Sequence, residues 1–217
     1  VEFSFNVEDL DQVAEILPEV ALRPVLWWVE SLLNTEHLVS DIKVAGDRIG
    51  SLISSIKSYS HMDQEPSMEV LDIVHGLKET LTILQHRFKK QRVEIDKDLS
   101  GELGKIKAIP GELNQVWTNL LSNALDVLPD GGIIKIRTYV ERDSVCLEII
   151  DNGPGVPEDI KNRVFEPFFT TKGVGEGTGM GLDIVKRILD RHHATISLES
   201  EPGRTCFRSC FPIYKAK

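Results

Sequence analysis

Apolar residues in the first part of the chain follow a helical period. Over residues 36–60 they recur at alternating steps of three and four, which predicts a helix with one narrow apolar seam. One helix cannot bury such a seam alone, so we expect a helical hairpin that dimerises into a bundle; docking on the chain's own domain is the alternative. Residues 9–33 are also helical in pattern, but Pro18 and Pro24 are expected to divide them into short pieces. The seam consists of Ile42, Ala45, Ile49, Leu52, Ile56 and Tyr59.

After a linker at residues 63–67, the pattern changes to a mixture of helices and strands. Hairpin-like strand pairs with helices inserted between them predict an α+β fold: a two-layer sandwich with a mixed, mostly antiparallel sheet and helices on one face. We therefore divide the chain into a helical dimerisation-like segment, 1–64, and a domain at 65–217. Helices are expected at 74–91, 111–128 and 182–191, and strands at 93–95, 106–109, 133–139, 145–150, 195–200 and 205–212.

The composition of the chain limits the kinds of partner that it is expected to bind. The chain has 217 residues with 25 Lys and Arg against 34 Asp and Glu, and the net charge of −9 disfavours binding to nucleic acid or anionic lipid. No apolar run approaches the length of a membrane span, so we expect no membrane segment in these residues. The chain opens on Val1 without an initiator Met or a leader, which suggests an excised or processed piece of a longer protein.

The three cysteines are an odd, sparse set. Cys206 and Cys210 lie on one face of a predicted strand, about 13 Å apart at about 3.3 Å per residue, which is too far for a disulfide. We therefore expect Cys146, Cys206 and Cys210 to be reduced, in a cytoplasmic protein.

The helix predicted at 111–128 carries a polar stripe on an otherwise apolar element. Asn residues four apart are costly in a helix, whereas a solvated face usually carries Lys and Glu. A carboxamide oxygen can join a phosphate-bound magnesium ion, which keeps most of its waters. The stripe therefore indicates either a magnesium-phosphate site or an ordinary solvated face. It consists of Glu112, Gln115, Asn119, Asn123 and Asp126.

A second candidate follows an apolar strand, where the sequence reads Asp-Asn-Gly-Pro-Gly from Asp151 to Gly155. A carboxylate at a strand end can accept a proton from an exocyclic amine, and glycines allow a ligand ring to approach closely. The same residues are also typical of a simple turn, which is the alternative reading.

The third candidate is the long loop at 152–181, which ends in four alternate glycines before a helix. Such glycines free backbone amides to wrap an anion, and the helix amino terminus adds positive partial charge. The length suggests a lid, with a plain flexible loop as the alternative. Three aromatic residues are expected to anchor the loop or to pack on a partner: Phe165, Phe168 and Phe169.

Taken together, these segments resemble the ATP-binding domain of the histidine kinase, gyrase and MutL-type superfamily, and most closely that of sensor histidine kinases. QVWTNLLSNALD resembles the N box, DNGPGVP and GEGTGMGL the two glycine boxes, and FEPFFTTK the F box, while RTCFRSCFP is similar to the terminal strand. The resemblance covers residues 65–217 and implies a Bergerat-type fold.

The resemblance also implies residue roles, with ATP and Mg²⁺ as cofactors. Asn123 would bind magnesium and Asn119 the phosphates, which makes these two the catalytic residues. Asp151 would bind the adenine amino group, with help from Thr205. Gyrase-type hydrolases have a general-base Glu where this chain has Asn119, so phosphotransfer is favoured over hydrolysis. The other expected nucleotide-binding residues are Asp126, Gly153, Gly155, Lys172, Gly177, Thr178, Gly179, Met180 and Gly181; a solvated role is as good an interpretation for Lys172.

The helical segment DRIGSLISSIKSYSHMDQ resembles the second helix of a dimerisation and phosphotransfer domain. Such a domain carries a phosphoacceptor His followed by an acid, but here His37 precedes Leu38 and His61 precedes Met62. We therefore expect the acceptor to lie upstream; a degenerate kinase, or an unconventional acceptor at His37 or His61, are the alternatives. Structural roles are expected for His75, His86, His192 and His193.

The expected function is transfer of the ATP γ-phosphate to a histidine, for relay to the Asp of a response regulator receiver domain. The expected assembly is a homodimer through the helical segment. A nucleotide-binding pseudokinase or dimerisation switch, and an ATP hydrolase, are the alternative functions.

Overall fold

The computed structural model describes residues 18–61, 67–99, 103–173 and 177–215. The chain divides into two compact units, residues 1–54 and 55–217. The boundary expected at residue 64, and most of the linker at 63–67, lie outside the described residues.

The first element is one long helix, α1, Glu19–His61. Pro24 lies inside it, so the expectation that prolines break this part into short pieces is wrong for residues 19–33. Only five helical residues precede Pro24, so the hydrogen bond that its missing N–H removes lies close to the helix start, where little helix can be lost. Residues 9–17, also expected to be helical, lie outside the described residues.

The second unit follows the predicted order of elements. Its described helices are α2 Ile73–Lys90, α3 Pro110–Val127 and α4 Gly181–Arg191. Its described strands are β1 Glu69–Leu71, β2 Glu94–Leu99, β3 Ile106–Ala108, β4 Ile133–Glu141, β5 Ser144–Asp151, β6 Thr195–Glu201 and β7 Arg204–Pro212. Strand β1 was not predicted, because three residues are too few to show a period.

The main sheet has the strand order β2-β4-β5-β7-β6. Strands β2 and β4 are parallel, and the other neighbouring strands pair antiparallel. A separate antiparallel pair joins β1 to β3. The mixed, mostly antiparallel sheet of an α+β fold is therefore confirmed.

The core lies between the helices and one face of this sheet. Alternate residues of β5 and β7 point toward α3, and the Trp117 ring meets the Phe211 ring edge to face, with centroids 5.9 Å apart. Trp117 is fully buried at the centre of α3. Because the apolar face of α3 packs in this core, its polar stripe is left to face α4, with Glu112 near the end of α4 and Asn119 near its start.

One expectation about the cysteines is wrong. Cys146 of β5 and Cys210 of β7 occupy directly paired positions and form a disulfide, with their sulfurs 2.09 Å apart. Spacing along β7 separates Cys206 from Cys210, but it does not reveal which strand lies beside β7. Cys206 is free and buried.

Candidate functional site

The polar stripe of α3 faces the first residue of α4. Asn119 and Asn123 lie one turn apart, and both are half-buried. Asn119 Nδ2 donates to the backbone oxygen of Gly181 at 3.3 Å. A Cβ added at Gly181 would lie 3.9 Å from the Asn119 amide and 4.0 Å from Asn123 Nδ2. The two carboxamides therefore flank a helix amino terminus, where free N–H groups and the helix dipole favour an anion.

A row of polar side chains crosses three strands at one end of the sheet. Asp151 ends β5, and Thr205 lies directly opposite it on β7. Ser200 of β6 pairs with Thr205 in turn, and the two hydroxyl oxygens are 3.0 Å apart. Ser200 Oγ also accepts a hydrogen bond from the Val156 backbone N–H at 2.8 Å. Two residues far apart in sequence, Asp151 and Thr205, are thus brought together, and each is only 4% exposed.

The Asp151 carboxylate is available to a ligand. Its Oδ1 accepts the backbone N–H of Gly153 at 2.9 Å. Burial raises the pKa of Asp151 more than this hydrogen bond lowers it, so the pKa lies above its ordinary value. Within the described part of the chain no cation pairs with Asp151. Its Oδ2 can therefore accept a hydrogen bond from a neutral donor such as an aromatic amine.

The turn after β5 is shaped by close backbone packing. Gly155 has a φ of +85°, and a Cβ there would lie 2.8 Å from the backbone of Glu201. A Cβ at Gly153 would lie 2.7 Å from Asp151 Oδ1 and 3.3 Å from a methyl group of Val127 on α3. Asn152 Oδ1 accepts from Ile133 N–H at 2.8 Å, which fixes the turn to β4. A larger residue at Gly153 would crowd Asp151 and α3, and one at Gly155 would collide with the last residue of β6.

The end of the lid is equally restrictive. Gly179 has a φ of +64°, and a Cβ there would collide with the backbone of Phe168. A Cβ at Gly177 would lie 2.6 Å from Thr170 Oγ1. Thr178 Oγ1 accepts from the backbone N–H of Met180, the residue before α4, at 3.5 Å. The predicted residues of this segment therefore pack directly before the helix amino terminus, while Gly175 lies outside the described residues.

A family model described as histidine kinase-, DNA gyrase B-, and HSP90-like ATPase matches residues 108–215. The chain belongs to this ATPase family. The matched span contains the polar stripe of α3, the Asp151–Thr205 row and the lid, so the site lies inside the ATPase domain. Nucleotide binding is therefore the function of this domain.

Related proteins indicate which kind of ATPase-family domain this chain contains. The chain is 36% identical to the sensor kinase CckA of Brucella abortus, over 83% of this chain and 22% of the relative. It is 40% identical to the sensory histidine kinase/phosphatase NtrB of Rhodobacter capsulatus, over 85% of this chain and 53% of the relative. The solved catalytic domain of the histidine kinase ThkA is similar, with a TM-score of 0.62 and 27% identity, over 67% of this chain and 95% of that chain.

The chain therefore contains the ATP-binding catalytic part of a sensor histidine kinase, and it spans about a fifth of CckA and about half of NtrB. No helix in the described ranges combines the length and the apolar content that a membrane crossing needs.

Two residues of the ATPase domain that are predicted to contact the nucleotide, Lys172 and Asp126, form an ion pair with each other. Lys172 Nζ of the lid lies 2.5 Å from Asp126 Oδ2 on α3. Arg87 of α2 contacts the other oxygen of Asp126 at 2.8 Å, and it also donates to Ser122 Oγ at 3.0 Å. Asp126 thus ties the lid to two helices. Its contact with nucleotide, like that of Lys172, stays a prediction.

The aromatic residues of the lid have different roles. The Phe165 ring packs edge to face on Phe207 of β7, with centroids 6.3 Å apart, and so anchors the loop to the sheet. Arg163 lies 4.5 Å above the ring of Phe169. Phe168 is 74% exposed. The expected anchoring is therefore met by Phe165, while Phe168 presents an apolar ring to the surroundings.

Sequence reasoning missed two residues of the site. Ser200 supports Thr205 through its hydroxyl, and Arg87 supports Asp126. Neither lies in a recognisable motif, and only the register of β6 on β7 and the packing of α2 against α3 bring them in. The one feature of the sequence that could have indicated Ser200 is that it is a polar residue at an inward-facing position near the end of a strand.

The buried histidine of the ATPase domain is structural, as expected. His192 Nε2 accepts the backbone N–H of Ile109 at 3.0 Å, which assigns the proton to Nδ1, 2.7 Å from the Ile188 oxygen. Glu112 contacts Arg191 at 2.6 Å. Nε2 of His192 therefore joins the start of α3 to the end of α4, while Nδ1 bonds within α4. Glu112 is held by a cation rather than placed as a base.

Proposed function

We propose that this domain positions ATP for transfer of its γ-phosphate to a histidine, for relay to an aspartate of a response regulator. The observation that carries the proposal is a combination of side chains. Asp151 and Thr205 form a buried acceptor and hydroxyl pair suited to adenine, while the phosphate end carries the carboxamides of Asn119 and Asn123 instead of a carboxylate.

Binding of the base rests on the row at the end of the sheet. Asp151 Oδ2 accepts the exocyclic amino group, and the Thr205 hydroxyl, held by Ser200, bonds to the same edge of the ring. Gly153, where a Cβ would lie 2.7 Å from Asp151 Oδ1, leaves room for the flat face of the base, and Gly155 lets the turn pack closely on β6. Burial strengthens these hydrogen bonds because little water competes for them.

Binding of the phosphates rests on the lid and on α4. The backbone N–H groups of residues 177–181 and the amino terminus of α4 supply the positive end of a dipole. Asn119 lies beside this terminus, 3.3 Å from the Gly181 oxygen. Lys172 adds a charge once it exchanges its contact with Asp126 for a phosphate oxygen.

A magnesium ion fits the Asn123 side of this site. Asn123 presents a neutral, half-buried carboxamide one turn from Asn119, and magnesium in phosphate sites takes few protein ligands. When bound, the ion would neutralise charge on the phosphate oxygens. Asn123 would hold it through the carboxamide oxygen.

The carboxamides also disfavour hydrolysis. A carboxamide at Asn119 cannot take a proton from water, and the nearest glutamate of the stripe, Glu112, is bound to Arg191. With neither Asn119 nor Glu112 able to serve as a base for water, positioning of an external nucleophile supplies the catalysis. A histidine carries its own lone pair and satisfies that requirement.

We further propose that the helical segment dimerises and that the protein works in the cytoplasm. Helix α1 leaves large apolar side chains exposed, including Trp27 at 72% and Ile42 at 71%. Such a surface on one helix favours burial against a second copy. We propose a cytoplasmic location because the proposed partner, a response regulator, is expected in the cytoplasm.

The experiment is a labelling assay with radiolabelled ATP and magnesium. The chain alone should bind ATP, release phosphate slowly and carry little acid-labile label, because neither His37 nor His61 is followed by an acid. A fusion that adds a phosphotransfer segment with a His-Glu motif should become labelled, and the label should pass to a receiver domain.

Asn123→Ala in the same fusion is the matched control, and it should remove the label. Rapid phosphate release without labelled protein would contradict the proposal and identify a hydrolase. Strong label on the chain alone that disappears in His37→Ala or His61→Ala would show that the acceptor lies within these residues.

A further inference from the structure

The face of the sheet that points away from the helices carries a cluster unrelated to the nucleotide site. Cys146 of β5 pairs directly with Cys210 of β7. On the other side of β5, Tyr139 of β4 pairs with Cys146, and Glu141 lies two residues further along the same face of β4. The adenine row at Asp151 lies five residues along β5, about 16 Å away at about 3.3 Å per residue.

We propose that Cys146, Cys210 and Glu141 form a binding site for a thiophilic divalent cation, such as Zn²⁺, when the disulfide is reduced. The two sulfurs and a Glu141 carboxylate oxygen all lie within 4.8 Å of one another. Ligands of a tetrahedral zinc ion with Zn–S bonds of about 2.3 Å lie about 3.8 Å apart. Small side-chain rotations therefore suffice to reach that geometry.

The donor set is suitable for zinc and poor for magnesium. Two thiolates and one carboxylate select a borderline-soft cation, and three protein ligands leave a fourth position for water. Glu141 is exposed, and in the described ranges its carboxylate makes no hydrogen bond or ion pair, so it is free to bind. The neighbouring carboxylate, Glu148, is already committed to Arg208 at 3.0 Å and Tyr139 at 2.9 Å.

Reduction and metal binding are separate, balanced steps. A phosphine reductant and water supply two electrons and two protons to the disulfide, which gives two thiols and a phosphine oxide. Binding of Zn²⁺ then releases both thiol protons to solvent as the two Zn–S bonds form. Reoxidation by a small-molecule disulfide, which takes two electrons from the thiolates and two protons from solvent to give two thiols, restores the Cys146–Cys210 bond and releases Zn²⁺.

The third cysteine provides an internal control. Cys206 lies on the same face of β7 as Cys210 but four residues away, about 13 Å along the strand. Burial raises the pKa of Cys206 to about 11, so its thiolate is scarce at neutral pH. A site made by Cys146 and Cys210 should not depend on it.

The test titrates Zn²⁺ and Co²⁺ into two preparations of the whole chain, one reduced with a phosphine and then desalted without oxygen, the other left oxidised. The reduced chain should bind one zinc ion against a chromogenic chelator, and Co²⁺ should give a thiolate-to-cobalt charge-transfer band. The oxidised chain, which has the same fold and the same histidines, should show neither.

Four variants complete the experiment. Cys146→Ser and Cys210→Ser should lose the charge-transfer band, and Cys206→Ser should keep it. Glu141→Gln, an exposed position where folding is safe, should weaken zinc binding by at least about 10-fold, as expected for loss of a ligand or of its support. Equal metal binding by the oxidised and reduced chains, or a band that survives in Cys210→Ser, would overturn the proposal.

Discussion

Replacement of Asp151 by Asn separates ligand binding from stability. Asp151 Oδ1 already accepts the Gly153 N–H, so we expect the ligand to use Oδ2. In the variant, the amide oxygen keeps the Gly153 bond and the amide nitrogen takes the place of Oδ2, where its N–H faces the amino group of adenine. A hydrogen bond to a charged group contributes about 1.5–3 kcal/mol, which corresponds to about 10- to 150-fold in ATP affinity.

The stability of the Asp151→Asn variant should not fall together with its ATP affinity. Burial raises the pKa of Asp151 in the folded state, so stability is lost as the pH rises from the ordinary aspartate pKa through the raised pKa, and the full penalty applies at neutral pH. Asn carries no charge, and the variant should be as stable as the wild type at neutral pH, or more stable. For the same reason, ATP affinity of the wild type should fall on acidification at a higher pH than for an ordinary aspartate, and Asp151→Asn should lack this pH dependence.

The assays are calorimetric titration with ATP and magnesium, and thermal unfolding without nucleotide. Asp130→Asn, an exposed carboxylate in the loop after α3, is the matched control and should change neither quantity. Unchanged ATP affinity in Asp151→Asn would refute the adenine role. A loss of affinity that is accompanied by an equal loss of stability would show that the residue is structural.

Three further predictions concern the metal, the lid and the helical segment. Asn123→Ala should weaken ATP binding far more with magnesium than with a chelator, and equal losses in the two titrations would make Asn123 structural. Gly179→Ala should weaken ATP binding because the new Cβ displaces Phe168. The control is Gly131→Ala, at a φ of +80° with open space around it, which should cost only about 1–2 kcal/mol of stability through backbone strain. Similar ATP affinities in the two variants would contradict the lid geometry. Ile42→Glu should shift the chain from dimer toward monomer, as measured by light scattering. A wild type that is already monomeric at high micromolar concentration would contradict the proposed dimer.

The fold and the site could be predicted to different extents. The long periodic helices α2 and α3 and the hairpin strands were found within a few residues, because their patterns are local. The motifs predicted which residues share the site, since Asn119 and Gly181 each lie in a recognisable segment. Their meeting at 3.3 Å depends on how α3 packs on α4, which no local pattern contains.

Errors arose where strands separated in sequence become neighbours. Strands β5 and β7 are separated by the lid, α4 and β6, yet they pair over eight residues. That pairing places Thr205 opposite Asp151 and Cys210 opposite Cys146. The first was supplied by family resemblance and the second was missed, because spacing along one strand says nothing about its partner. Pro24 was misjudged for another reason: a proline near a helix start removes only one hydrogen bond.

The hydrogen bonds around the turn after β5 have a consequence for the order of binding events. The Gly203 N–H donates to the Gly153 oxygen at 2.9 Å, and the Val156 N–H donates to Ser200 at 2.8 Å, so the turn beside the proposed base site is fixed to the β6–β7 hairpin. Two glycines just before α4, Gly177 and Gly179, instead pack on Thr170 and Phe168 of the same loop. We therefore expect the base to dock in a preorganised site, while the glycines directly before α4 rearrange when phosphate binds. Discrimination among mono-, di- and triphosphates then rests on those glycines, on Lys172 and on the carboxamides of α3.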